Sequence, residues 1–421
     1  MIRFYNGRVL HFGGGMRIGR EEVWVDGSQI TYVGDQRADA PVFEREIDLR
    51  GDLLLPGFKN AHTHSPMTFL RSLADDMPLD RWLKEMIWPN EAHLTEEAVY
   101  DLTKLAIMEY LSSGITACFD MYAHSESYVQ ANIDAGFRTV LCSAYNDFDK
   151  DITQLERDYL RYNAIHPRIS FLLGMHAEYT TCMERMQYVV GLAEKYQAPC
   201  FTHLSETKAE VEGCLQRYGK TPPQFLWDLG FFRYGGGGYH CVWMTEEDMQ
   251  LFADHGLFAV TNPASNLKLA SGIAPITRMQ EKGVPLAIGT DGPASNNALD
   301  MFREMYLVTA LQKVQTGDAS ACPAETVLEM ACVGGARAMG LRDCVDVAEG
   351  MKADLTVLNL RRPNMQPINN IMKNVVLSGS KENVRLTMVD GKILYEDGEF
   401  YLDESAEEIC RRAQAFTESL R

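Results

Sequence analysis

The chain of 421 residues exceeds the roughly 250–300 at which a single hydrophobic core stops growing, which predicts one large domain with a smaller one attached. A composition 46% apolar and 23% charged is that of an ordinary globular protein, and a formal net charge of −18 argues against nucleic acid or an anionic membrane as the main partner. Ten scattered cysteines without a Cys-x-x-Cys pair, no basic-then-apolar leader and no apolar run near the ~20 residues of a membrane span predict a cytoplasmic protein with reduced thiols.

Residues 1 to 56 read as short strands between glycine turns: Ile2 to Tyr5, Glu22 to Val25 and, after the Asp26-Gly27 turn, Ile30 to Val33. The same character returns after residue 351 in Asp354 to Leu358 and Val384 to Val389, where Asp390-Gly391 turns into Lys392 to Tyr395. Short strands at either end would be marginal alone. The two ends, 1–56 and 351–421, are therefore expected to combine into one β-sandwich domain, with 57–350 inserted between them. The last stretch, Glu404 to Leu420, reads as a surface helix.

Within 57–350, apolar strand-like runs alternate with amphipathic segments such as Glu96 to Ser112 and Met183 to Tyr196, the pattern of repeated βα units. Candidate strands end at His64, near Asp120, near Tyr145, at His176, His203 and His240, around Thr261-Asn262, and at Asp291. Eight such strands predict an α/β architecture, a (β/α)8 TIM-type barrel whose functional groups lie at the C-terminal ends of its strands. The tetraglycine Gly235 to Gly238 has no Lys-Ser/Thr or helix start after it and is expected to be a plain flexible connection.

The chemistry begins in Pro56-Gly57-Phe58-Lys59-Asn60-Ala61-His62-Thr63-His64. Alternate residues of a strand share a face, so His62 and His64 can aim two imidazoles at one point. With His203 and Asp291, also at strand ends, they make a three-nitrogen, one-oxygen set suited to Zn2+ or another borderline divalent ion such as Fe2+. Such an ion makes hydroxide available near neutral pH. Glu206, three residues beyond His203, is placed to protonate a ring nitrogen of a substrate; Asp291 can take the proton of the attacking water and deliver it to the leaving group. His240 can hydrogen-bond the water or the developing oxyanion, and His176 can touch substrate. No lysine occurs from Ile169 to Met175 to serve as a carbamylated bridge between two metals, so one ion per chain is expected.

These motifs, together with His203-x-x-Glu206, His240-Cys241 and Gly289-Thr290-Asp291-Gly292-x-x-Ser295-Asn296-Asn297, resemble the amidohydrolase superfamily. Within it they look most like the methylthioadenosine/S-adenosylhomocysteine deaminases and the related chlorohydrolases. The resemblance implies a barrel with one zinc on His62, His64, His203 and Asp291, hydrolysing a carbon–nitrogen bond on a heteroaromatic ring and releasing ammonia. It also implies a homodimer, a ribose grip by Trp82 and Glu91, and a substrate contact for His176. The chain departs from the family after the third strand, where Cys142-Ser143-Ala144-Tyr145-Asn146-Asp147 contains no arginine to clamp an amino-acid carboxylate. Tyr145 and its neighbours should then face an uncharged or smaller substituent, as in adenosine, 5′-deoxyadenosine or methylthioadenosine. Rival readings are a triazine chlorohydrolase, a guanine or pterin deaminase, and a catalytically silent binding protein.

Overall fold

The computed structural model describes residues 1–73, 75–122 and 126–420, residue 80 by its backbone alone. Eight strands run parallel in chain order: Phe58–Thr63, Ile115–Tyr122, Arg138–Ser143, Ile169–Ala177, Cys200–Leu204, Gly236–His240, Phe258–Thr261 and Leu286–Ile288. They end where the apolar runs of the sequence end. Ile115–Tyr122 is buried along its whole length, as a parallel strand covered on both faces must be. The first and last strands meet through side and main chain: the Asp291 N–H donates to the His62 carbonyl at 2.9 Å, and the Thr290 N–H donates to Asn60 Oδ1 at 2.8 Å. The result is a nearly closed (β/α)8 barrel.

Helices fill the outer layer. Glu96–Ser112 and Met183–Tyr196 have the bounds expected from sequence. The first starts where the Thr95 hydroxyl accepts from the Ala98 N–H and Glu96 and Glu97 face the positive helix end. Among the described residues, no helix is long and apolar enough to cross a membrane.

The tetraglycine corrects the expectation of a flexible connection. Gly236 to Gly238 belong to the sixth barrel strand itself. A Cβ on Gly236 would lie 1.8 Å from the Cys200 carbonyl oxygen, and one on Gly237 would lie 2.1 Å from that of Phe258. The glycines allow neighbouring strands to approach too closely for any side chain.

Both chain ends build two further sheets. The four-stranded one orders Gln29–Gly34, Glu22–Asp26, Ile2–Tyr5 and Arg45–Asp48; the seven-stranded one pairs Leu53–Pro56 antiparallel with Leu355–Leu358. Period-two alternation divides these strands between cores. Leu54, Leu355 and Val357 join Phe4, Val23 and Ile47 in the core between the two sheets, while Leu53, Leu55 and Leu358 face the main barrel core. The C-terminal helix Ala406–Ser419 lies against Glu96–Ser112. Arg412 binds Asp101 at 2.9 Å, and the wholly buried Lys104 binds Asp403 at 2.7 Å.

A buried ion pair ties the barrel to the terminal sheets. Arg138, opening the third barrel strand, reaches Asp354 through Nε at 2.6 Å and Nη2 at 3.0 Å, and the Asp390 N–H donates to the same carboxylate at 2.7 Å. Burial pushes the Asp354 carboxyl up, but Arg138 outweighs it and holds the group below its ordinary value. Asp354→Asn takes from the buried guanidinium its two-pronged partner and leaves it Asp390 alone, 3.1 Å from Nη2. The variant should lose about 2–3 kcal/mol of stability, read as a lower urea midpoint.

Candidate metal and substrate site

The barrel closure brings the strand ends together. His62 and His64 Nε2 lie 3.5 and 3.2 Å from Asp291 Oδ1. Two groups, His62 with His64 and Asp291, and His62 with His203 and His240, each bring their ligand atoms within 4.8 Å of one another. His62 is common to both and wholly buried, its ring stacked 3.9 Å from that of Tyr239.

The donor set fits a divalent cation. A carbonyl oxygen can only accept, so the His64 Nδ1–H must donate to the Met121 carbonyl at 2.5 Å and the His203 Nδ1–H to that of His176 at 2.6 Å. Each Nε2 is thereby turned into the cluster as a lone-pair donor, the arrangement that fixes metal-bound histidines. Both ring nitrogens of His62 are buried without a hydrogen-bond partner, a costly state that an ion would relieve. Burial first, and neighbouring histidines second, hold His62 and His203 well below the ordinary imidazole pKa, in the neutral form that ligates. Without an ion, burial would raise the Asp291 carboxyl, but a protonated His64, itself held above the ordinary imidazole value beside this carboxylate, keeps it well below the carboxylate range; a bound cation would take the place of that His64 Nε2 proton. Ser265 and Ser295 hydroxyls donate to Asp291 Oδ2 at 2.6 and 2.8 Å, and the Gly292 N–H donates to Oδ1 at 2.7 Å.

The strand ends carry backbone strain. Ser205, His240, Cys241 and Asp291 have φ of 50°, 71°, 50° and 58°, the left-handed region that costs non-glycine residues about 1–3 kcal/mol each. Hydrogen bonds hold them there. The Trp243 N–H donates to the Ser205 carbonyl at 2.8 Å, and the Cys241 N–H donates to that of Leu204 at 3.1 Å. At the fourth strand the ladder shifts between Gly174 and Ala177, which displaces His176 from regular pairing beside the site.

Glu206 is buried, 3.8 Å from His240 Nε2, and accepts weakly from the Ser271 hydroxyl at 3.4 Å. Burial raises its carboxyl above the ordinary value. Its backbone is gripped by Glu210, whose two carboxylate oxygens accept from the Ser205 and Glu206 N–H groups at 2.7 and 2.8 Å. Burial pushes Glu210 up to about 7. His240 is oriented from behind, its Nδ1–H donating to Asn266 Oδ1 at 2.8 Å.

A cavity of about 690 Å³ opens onto this cluster. His64, His203, Glu206, His240 and Asp291 line it, and Trp82, Glu91, Tyr145 and His176 line it as well. Among the candidates named from sequence, only His62 is set behind its wall. Trp82 begins a π-helical turn, Trp82–Ile87, a form that marks functional sites, and its indole N–H is buried without a partner. Glu91 accepts from the Tyr122 hydroxyl at 2.6 Å, and burial raises its carboxyl. The His176 Nδ1 lies 2.9 Å from the Thr180 hydroxyl.

The residues that sequence reasoning missed are supports: Glu210, Ser265, Asn266 and Ser271. Each lies on a loop or helix whose relation to the strand end is set only by the fold; Glu210, four residues beyond Glu206 at a helix start, had the one local signal. An arginine also approaches Tyr145, from the helix Met183–Tyr196 rather than from the segment after the third strand. Arg185 lies 5.0 Å over the Tyr145 ring, donates to the Asp149 carbonyl at 2.5 Å, and does not line the cavity.

Residues 53–394 match the amidohydrolase family. A 5-methylthioadenosine/S-adenosylhomocysteine deaminase of Thermococcus onnurineus is 39% identical over 95% of both chains. The crystal structure of an adenosine deaminase from Xanthomonas campestris with bound zinc is 32% identical, with a TM-score of 0.94 over 100% of this chain and 98% of the other. The zinc complex of the atrazine chlorohydrolase of Arthrobacter aurescens, 22% identical, covers 99% of this chain and 100% of its own with a TM-score of 0.91, and shares the fold. The chain belongs to the amidohydrolase family and is a hydrolase acting on carbon–nitrogen bonds.

Proposed function

We propose that the protein is a zinc-dependent hydrolytic deaminase of an aminated purine-like ring, with nucleosides of the adenosine, 5′-deoxyadenosine or methylthioadenosine type as its substrate class. The observation that carries this reading is the convergence of four groups able to ligate a metal, three of them lining one cavity and His62 set behind its wall, with a buried acid and an anchored histidine beside them. The deaminase names of the relatives support it. His62, His64, His203 and Asp291 would hold the ion, which supplies Lewis acidity and an activated water near neutral pH.

The remaining work falls to side chains. Glu206, whose burial favours its protonated form, delivers a proton to the ring nitrogen beside the carbon under attack. Asp291 takes a proton from the water and passes it to the departing amine. His240, anchored through Nδ1, offers Nε2 to the water or the developing oxyanion. The bond to the exocyclic nitrogen breaks and ammonia leaves as the added hydroxyl gives up its remaining proton to Glu206, so that its oxygen becomes the ring carbonyl and Glu206 regains the proton it gave to the ring nitrogen. Trp82 and Glu91 offer an unpartnered donor and a carboxylate to a sugar, which a triazine would not use.

Zinc-loaded protein mixed with adenosine should release ammonia as the adenine ultraviolet band is lost; an absence of both with every aminopurine and aminopterin would overturn the reading. Glu206→Gln should lower kcat by about a hundredfold or more while bound zinc stays stoichiometric, because it removes the proton and leaves the ligands. His203→Asn and Asp291→Asn should instead weaken zinc binding at least about tenfold, measured by metal analysis after dialysis against a chelator.

A further inference from the structure

The outer part of the cavity carries charge of one sign. Glu91, Glu96, Asp149 and Asp158 line it, and no lysine or arginine does among the described residues. Three arginines nearby are engaged with other groups: Arg157 with Asp151 at 2.5 Å, Arg161 with Glu126 at 2.5 Å, and Arg185 with the Asp149 carbonyl and, at 3.6 Å, Asp147. Asp149 accepts from the Asn146 N–H at 2.7 Å and Asp158 from the Gln154 amide at 2.7 Å, both uncharged donors. Burial raises the half-buried Glu91 and Asp158 above the ordinary carboxylate value, offset only in part at Asp158 by the charges of Arg157 and Arg161, while Asp149 is exposed to solvent.

One further feature suits a cationic occupant. The ring of Phe148, 69% exposed at the mouth, meets that of Trp88 at 5.3 Å, and both line the cavity with Tyr145. Aromatic faces beside carboxylates are the surroundings that bind ammonium and sulfonium groups. The Trp82 indole N–H, on a residue 5% exposed, lines the same cavity without a partner in the protein, a donor left for an acceptor on the bound molecule such as a sugar oxygen, and takes no part in the choice of charge.

We propose that the outer cavity selects a substrate whose end remote from the ring bears a positive charge, an ammonium or sulfonium group, and rejects one bearing a carboxylate or phosphate. The inference rests on the reading that the aminated ring sits at the histidine cluster. It makes Asp149 and Asp158 the specificity-determining residues, since they belong to the segment after the third strand and play no part at the metal.

The test uses zinc-loaded full-length protein and three nucleosides that differ at one carbon: 5′-amino-5′-deoxyadenosine, adenosine and adenosine-5′-carboxylate. The kcat/KM for the ammonium compound should exceed that for the carboxylate by about tenfold or more. Added salt should narrow the ratio. Asp149→Asn/Asp158→Asn should bring it towards unity, although the wild-type series decides the matter if that variant fails to fold. Deamination of the carboxylate as fast as the ammonium compound, with adenosine turned over, would overturn the charge selection and leave the deaminase reading standing. If no compound releases ammonia, the deaminase reading fails; calorimetric binding of the same three nucleosides then still decides, and equal or tighter binding of the carboxylate sinks the inference.

Discussion

The hydrogen bond from the Asp291 amide to the His62 carbonyl closes the barrel at the point where its first strand and the turn after its last each deliver a candidate metal ligand. Closure and site assembly are therefore one event. If the seam parted, His62 and His64 would separate from Asp291, and the ligand set would fall into two incomplete groups. The seam has its own reinforcement, because Asn60 accepts from the Thr290 N–H and donates to its hydroxyl at 2.7 Å, while Asn296 donates to the Thr290 carbonyl at 2.7 Å. Buried amides with several partners are worth more here than their number suggests, since leaving any one unmade in this interior costs its full desolvation.

The same arrangement accounts for the strain at the strand ends. A strand that simply ended would point its last side chain up and away; the left-handed turns at Ser205, His240 and Asp291 bend the chain so that Glu206, His240 and Asp291 face one another across the axis. Strain of this kind persists only where surroundings overdetermine it. Glu210, whose two oxygens hold successive N–H groups, and the paired serines on Asp291 are that surrounding.

Most of the barrel was legible in the sequence because its signals are local: an apolar run, then a polar residue that a strand has no structural use for. His62 and His64 follow from the two-residue period, and their helper Glu206 from its distance to His203. What was not legible depends on contacts between distant segments. Gly236 to Gly238 look like a loop because composition records flexibility, whereas the fold uses their missing side chains to bring three strands together. Glu404 to Leu420 reads correctly as a helix, but its ion pairs to Asp101 and Lys104 link residues about three hundred positions apart and leave no periodic trace. Arg185 was invisible for the same reason: the sequence just after the third strand lacks an arginine, and the one near Tyr145 comes from the helix that follows the fourth strand.

The division between strand ends and loops is also a division of tasks. Of the candidate metal ligands, His64, His203 and Asp291 are held by buried hydrogen bonds on the rigid barrel, and His62 by burial and ring stacking, where a displacement of an ångström would spoil the geometry an ion needs. Trp82, Glu91, Tyr145 and the aspartates after the third strand sit on connecting segments, which can change without disturbing the ladder. Charge crosses this boundary. A cation bound among the histidines would attract any anion, so a site built only from its ligands would fill with carboxylates and phosphates from solution. Carboxylates along the entrance, on a chain whose formal charge is −18, oppose that attraction before a solute reaches the cluster. Specificity then begins in the approach, through what the entrance repels, before the ring chemistry is tested at the metal.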